Sequence, residues 1–134
     1  MPSVLFVCVA NSFRSQMAEA IAKSLRPSGW DIWSAGASPS GAVHPLAKQL
    51  MQEIGLDLSA HRSKGVDAVP RQRWDYVVTM GCGDRCPTVA AAKRIDWQIP
   101  DPAAVPMQQA RQIRDALAAK IRALLEEGGR LDKA

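Results

Sequence analysis

Apolar and polar positions alternate between two periods along the chain. Ser3 to Val7 is a short, nearly continuous apolar run, as expected of a strand buried on both faces of a parallel sheet. From Ser15 to Leu25 the apolar residues Met17, Ala18, Ile21, Ala22 and Leu25 recur at helical spacing. Trp30 to Ser34 reads as a second strand. Pro45 opens a second helix with Leu46, Leu50 and Ile54 on one face, and Gly55 stops it. The polar stretch "LSAHRSKGVDAVPRQR" predicts a loop with a short helical piece. Asp75 to Met80 is the third strand and Arg94 to Trp97 a brief fourth. Ile113, Leu117, Ile121 and Leu124 mark a last helix, expected to end at Gly128 and Gly129.

Strands alternating with helices predict an α/β fold: a single-domain open parallel four-stranded sheet with helices on both faces, spanning residues 1–134. In such sheets ligands sit beyond the carboxyl ends of the strands, which is where Cys8, Cys82 and Asp101 fall.

Composition changes this picture little. With 134 residues, 47% hydrophobic and 22% charged, the chain suits one ordinary globular core. The net charge of +4 suits an anionic ligand, but the basic residues are scattered, so no nucleic-acid partner is expected. No apolar run reaches the roughly 20 residues of a membrane span, and the N-terminus lacks a signal-peptide pattern. A cytoplasmic monomer without membrane contact is the expectation.

Candidate chemistry concentrates in "CVANSFRS". A tight loop of Val9, Ala10, Asn11, Ser12, Phe13, Arg14 and Ser15 joins the first strand to the first helix. Its backbone amides and the positive end of that helix form an oxyanion cradle, and Arg14 adds a planar fork that grips two oxygens of a tetrahedral anion. The same positive surroundings favour the thiolate of Cys8 as a nucleophile, against the alternative of a buried strand-end cysteine. Asn11 and Ser15 brace such a loop, with ordinary loop and N-cap usage as the competing explanation. Cys82 and Cys86, with no histidine at zinc spacing, read as reactive thiols or simple buried cysteines, and neither metal nor cofactor is expected.

With "SAGA", "VHP", "GLDLSAHRSK", "VVTMGCGDRCP" and "DWQIPDPA" following in order, the chain resembles the low-molecular-weight tyrosine phosphatase family, and within it the thioredoxin-coupled arsenate reductase branch. The resemblance implies Cys8 as nucleophile, Arg14 and the loop amides as oxyanion binders, and Asp101 as general acid, with Asp96 the competing carboxylate. It further implies a Cys8/Cys82/Cys86 disulfide relay that reduces arsenate to arsenite. Phosphate and sulfate would fit the same loop. Thioredoxin is the favoured electron donor, with glutaredoxin and glutathione as alternatives. Phosphomonoester hydrolysis with redox-regulatory cysteines is the second reading, and a binding module without turnover the third.

The chain departs from the family pattern in four places. Phe13 stands where many relatives carry a further cysteine. Only Gly83, Asp84 and Arg85 separate the relay cysteines. Ala103 and Ala104 replace the aromatic walls of a phosphotyrosine cleft, which suits a small inorganic substrate. Lys64 stands where potassium-binding relatives carry an acidic residue, so its ammonium is expected to support Asn11, Glu19 and Ser34 in place of the ion, or else to be an ordinary exposed lysine. Trp97 could line the site, though a strand-end core aromatic is the favoured reading, and His44 and His61 are expected to be structural or surface residues.

Overall fold

The computed structural model of the chain describes residues 2–25, 29–81 and 89–133. Four strands, β1 (Ser3–Cys8), β2 (Asp31–Gly36), β3 (Trp74–Thr79) and β4 (Ala91–Asp96), form one sheet in the order β2-β1-β3-β4. Every pairing is parallel. The helices are α1 (Arg14–Leu25), α2 (Pro45–Gln52) and α3 (Met107–Lys133), with short 3-10 turns at Val66–Ala68 and Pro102–Ala104. No helix among the described residues is long and apolar enough to cross a membrane.

The central position of β1 follows from its sequence, since all six residues are buried and only a strand covered on both faces tolerates that. Val4, Phe6 and Cys8 point into the larger core, which they share with Met17 and Ile21 of α1, Leu50 of α2 and Leu117 and Ile121 of α3. Leu5 and Val7 alternate to the opposite face. There they pack with Trp74, Val77 and Val69, beneath the segment carrying the Val66–Ala68 turn, the described counterpart of the expected short helical piece.

Register aligns the strand ends. Cys8 pairs with Gly36, Val7 with Thr79, and Thr79 with Asp96, so the loops after these strands leave from one rim. That rim is where an open parallel sheet places its ligand.

Several boundaries differ from expectation, most by one or two residues, and α2 ends at Gln52, short of the exposed Ile54. β2 runs on to Gly36 because "AG" still pairs with Val7 and Cys8. β4 is Ala91–Asp96 and stops before Trp97; as a largely exposed edge strand it is defined by its ladder to β3, not by an apolar pattern. One difference is larger: α3 does not end at Gly128 and Gly129 but continues to Lys133. Gly128 is a contact residue. A Cβ there would lie 2.4 Å from the Trp30 ring and 3.3 Å from that of Tyr76, so the glycine lets the helix approach two stacked aromatics.

Helices α2 and α3 are also joined by charge. Arg114, 7% exposed, donates to Glu53 at 2.7 Å and to the Leu50 carbonyl at 3.1 Å, while Arg111 grips the same carboxylate from the surface. These bonds hold the Glu53 carboxyl down at about 2.

Candidate active site

The loop between β1 and α1 is shaped from behind. Six consecutive carbonyls are bonded away from its interior. The amides of Ala37, Ser38 and Ser40 donate to the oxygens of Cys8, Val9 and Ala10 at 3.1, 2.8 and 3.1 Å. Gln16 Nε2 donates to the Asn11 oxygen at 3.1 Å, His44 N to that of Ser12 at 2.8 Å, and Met17 N to that of Phe13 at 3.0 Å. Ser63 Oγ adds a second bond to Ala10 at 2.7 Å. With these carbonyls bonded outward, the loop's backbone is arranged so that its amides could turn inward, as a site for an anion needs.

Asn11 makes this path, adopting φ +48° where the chain reverses. Its side chain is fully used: Nδ2 donates to Ser15 Oγ (2.8 Å) and Ser34 Oγ (3.0 Å), and Oδ1 accepts from Gln16 Nε2 and Lys64 N, both at 2.9 Å. Ser34 in turn donates to Glu19 Oε1 at 2.5 Å. Burial works against the charge on Glu19, but Ser34, Lys64 and Lys23 outweigh it and hold the carboxyl below its ordinary range. Lys64 Nζ stands 3.3 Å from both Glu19 Oε1 and Ser34 Oγ. Its side chain, 19% exposed, is turned into the loop support and not into solvent.

Cys8, 3% exposed, ends this chain of bonds with its Sγ 2.8 Å from Ser15 Oγ. The Ser15 hydroxyl accepts from Asn11 Nδ2 and so has its own hydrogen available for the sulfur. Arg14, the first residue of α1, donates from Nη1 to the Ile99 carbonyl at 2.9 Å. That bond ties the loop to the segment carrying Asp101, whose Oδ1 caps the Pro102–Ala104 turn by accepting from Ala103 N at 3.0 Å. Asp96 is occupied otherwise, accepting from Thr79 Oγ1 and Gln98 Nε2, both at 2.9 Å.

Cys8, Asn11, Ser15, Glu19, Ser34 and Lys64 thus share one hydrogen-bonded cluster. Arg14 reaches the Asp101 segment, and Cys82 and Cys86 lie outside the described residues. Among the described residues no group of three His, Cys, Asp or Glu is placed to hold a metal.

Several contributors carry no sequence signal. Gln16, wholly buried, bridges Asn11 to the Arg62 carbonyl (2.8 Å) and to His61 Nδ1 (2.9 Å). His61, expected to be a structural or surface residue, is part of the support, and it lies 3.6 Å from Glu19. Burial pushes its pKa below 6.5 despite the Glu19 charge, and Lys23 and Lys64 push the same way. His44 caps α2 by accepting from Leu46 N and packs on Phe13, with ring centroids 4.9 Å apart. Gly36 backs the loop: a Cβ there would lie 2.8 Å from Asn11 N and Val9 O, both backbone atoms that cannot yield. Trp97 packs on Phe6, a core role.

Residues 3–134 match the family model described as low molecular weight phosphotyrosine protein phosphatase. The chain belongs to this family. Within it, the chain is 35% identical over 130 residues to an arsenate reductase of Brevibacillus brevis, covering 94% of this chain and 96% of the relative. The solved structure of an arsenate reductase in the phosphate-binding state superposes with a TM-score of 0.85 at 34% identity, covering 96% of this chain and 99% of that one. The thioredoxin-dependent arsenate reductase of Corynebacterium glutamicum gives 0.77 at 32% identity, over 95% of this chain and 61% of that one. Membership accounts for the four-stranded parallel sheet.

Proposed function

We propose that the chain is an arsenate reductase. The observation that carries the reading is the Cys8 loop, with six carbonyls bonded outward and the thiol at its base, inside a chain similar along nearly its whole length to arsenate reductases.

The Cys8 thiolate attacks As(V) and an arsenic–oxygen bond breaks, the departing oxygen taking a proton from Asp101 and leaving as water. The loop amides and Arg14 stabilise the remaining oxygens. The Cys82 thiolate then attacks Cys8 Sγ. The sulfur–arsenic bond breaks with its electron pair staying on arsenic, giving arsenite, As(III), and a Cys8–Cys82 disulfide. Cys86 attacks Cys82, releases the Cys8 thiolate and leaves a Cys82–Cys86 disulfide for an external dithiol to reduce. Thioredoxin is the proposed dithiol, by similarity to the Corynebacterium glutamicum enzyme. Lys64, paired with Glu19, takes the supporting place that a potassium ion holds in some relatives.

The test is arsenate-dependent oxidation of a reduced thioredoxin system by the wild type, Cys82→Ser and Cys86→Ser. Turnover is expected from the wild type and from neither variant. Undiminished turnover by both variants would sink the relay. Aryl phosphate hydrolysis without arsenate turnover by the wild type would instead favour the phosphatase reading, since a cradle for tetrahedral oxyanions serves either reaction.

A further inference from the structure

Among the described residues, Arg14 is the one long, flexible group of the Val9–Ser15 loop, and two neighbours adjoin its guanidinium. The Ile99 carbonyl accepts from Nη1 at 2.9 Å, and the guanidinium lies against Gly81. A Cβ on Gly81 would fall 2.6 Å from Nη1, 3.3 Å from Cζ and 3.6 Å from Nη2. We propose that Gly81 is a positioning residue for oxyanion binding: its missing side chain is the space in which the Arg14 guanidinium lies when bonded to Ile99.

The reasoning turns on which partner gives way. At Gly36 a Cβ would meet backbone, whereas at Gly81 it meets the far end of a side chain with several rotatable bonds. An added methyl therefore leaves the fold in place and pushes Arg14 aside. The displaced guanidinium loses the Ile99 bond, and its remaining donors lose the fixed orientation that makes a planar fork effective on two oxygens of a tetrahedral anion. Ordering that side chain then falls to the anion on binding, which weakens affinity.

Gly81 also has φ +82°, which alone favours glycine, so the test must separate backbone from Cβ. Asparagine tolerates the left-handed region and still carries a Cβ. The inference rests on the oxyanion-binding reading of the Cys8 loop, and inorganic phosphate is the probe because its binding needs neither relay nor reductant.

Calorimetric titration of the full chain with phosphate is expected to give about tenfold weaker binding for both Gly81→Ala and Gly81→Asn, as loss of a good charge-assisted contact does. In an Arg14→Ala background, Gly81→Ala is expected to change affinity by less than about twofold, because the group it displaces is gone. Melting curves identify any variant that fails to fold, and if Gly81→Ala does so, Gly81→Asn carries the comparison in both backgrounds. Wild-type affinity in Gly81→Asn, or an undiminished loss in the Arg14→Ala background, would overturn the inference while leaving the cradle intact. Failure of the wild type to bind phosphate would overturn the oxyanion reading and the inference with it.

Discussion

Ser15 Oγ lies 2.8 Å from Cys8 Sγ and 2.8 Å from Asn11 Nδ2, so the serine passes the polarity of a buried amide on to the sulfur. Replacing it removes a donor aimed at the thiolate and leaves an Asn11 hydrogen without an acceptor. Ser15→Ala is expected to slow alkylation of Cys8 by iodoacetamide at neutral pH by about tenfold, the scale of one hydrogen bond to a charged group. Equal alkylation rates for wild type and variant would show that the serine does not stabilise the thiolate.

Lys64 and Glu19 form a partly buried pair in the loop support. Lys64→Ala leaves Glu19 with Ser34 and Lys23 and is expected to destabilise the protein by about 1–3 kcal/mol in chemical denaturation. If the ammonium stands in for an ion, exchanging sodium for potassium leaves the wild-type melting temperature unchanged. Lys64→Asp, which puts a carboxylate beside Asn11, Ser34 and Glu19, is then expected to gain a melting temperature that rises with potassium. A potassium-dependent wild type would contradict this.

Stability is expected to fall in two stages on acidification. The folded pKa of His61 lies below 6.5, so the unfolded chain binds its proton more readily, and the stabilisation present above about pH 6.5 is lost as pH falls from there. Glu53, held at about 2 against an ordinary 4.5, contributes fully above pH 4.5 and loses that contribution as pH falls towards 2. Thermal melts across this range should show the upper stage flattened in His61→Gln and the lower one in Glu53→Gln. A profile that neither substitution alters would rule both groups out.

Gly128 allows α3 to close on Trp30 and Tyr76. Gly128→Ala improves intrinsic helix propensity but forces a methyl into a rigid indole, and it is expected to destabilise by about 1–3 kcal/mol. Trp30→Leu should relieve most of that penalty in the double variant. An alanine variant at least as stable as wild type would mean that the helix end moves freely away from the rings.

The sheet and its order of elements were legible because β1 and β3 are apolar runs too short for helices, and α1 and α3 keep a helical period. The Cys8 loop was legible through Cys8, Arg14 and the following helix. Less accessible were the groups that fix it. Gln16, His61 and Ser63 act through bonds spanning up to 53 positions, and such partners leave no local pattern. Gly128 was misread for a related reason: a glycine that stops a helix and one that lets a helix touch an aromatic ring look alike until the ring is placed.

The connection after β2 holds the loop through its main chain, with the amides of Ala37, Ser38 and Ser40 gripping carbonyls whatever side chains those residues carry. Substitution along 37–40 should therefore be cheap provided no proline removes one of those amides, while the neighbouring Gly36 admits no replacement and Gly41, at φ +88°, favours glycine. A library randomised across this stretch offers a place to alter surface charge around the entrance, and with it the attraction of anions, without disturbing the thiol beneath.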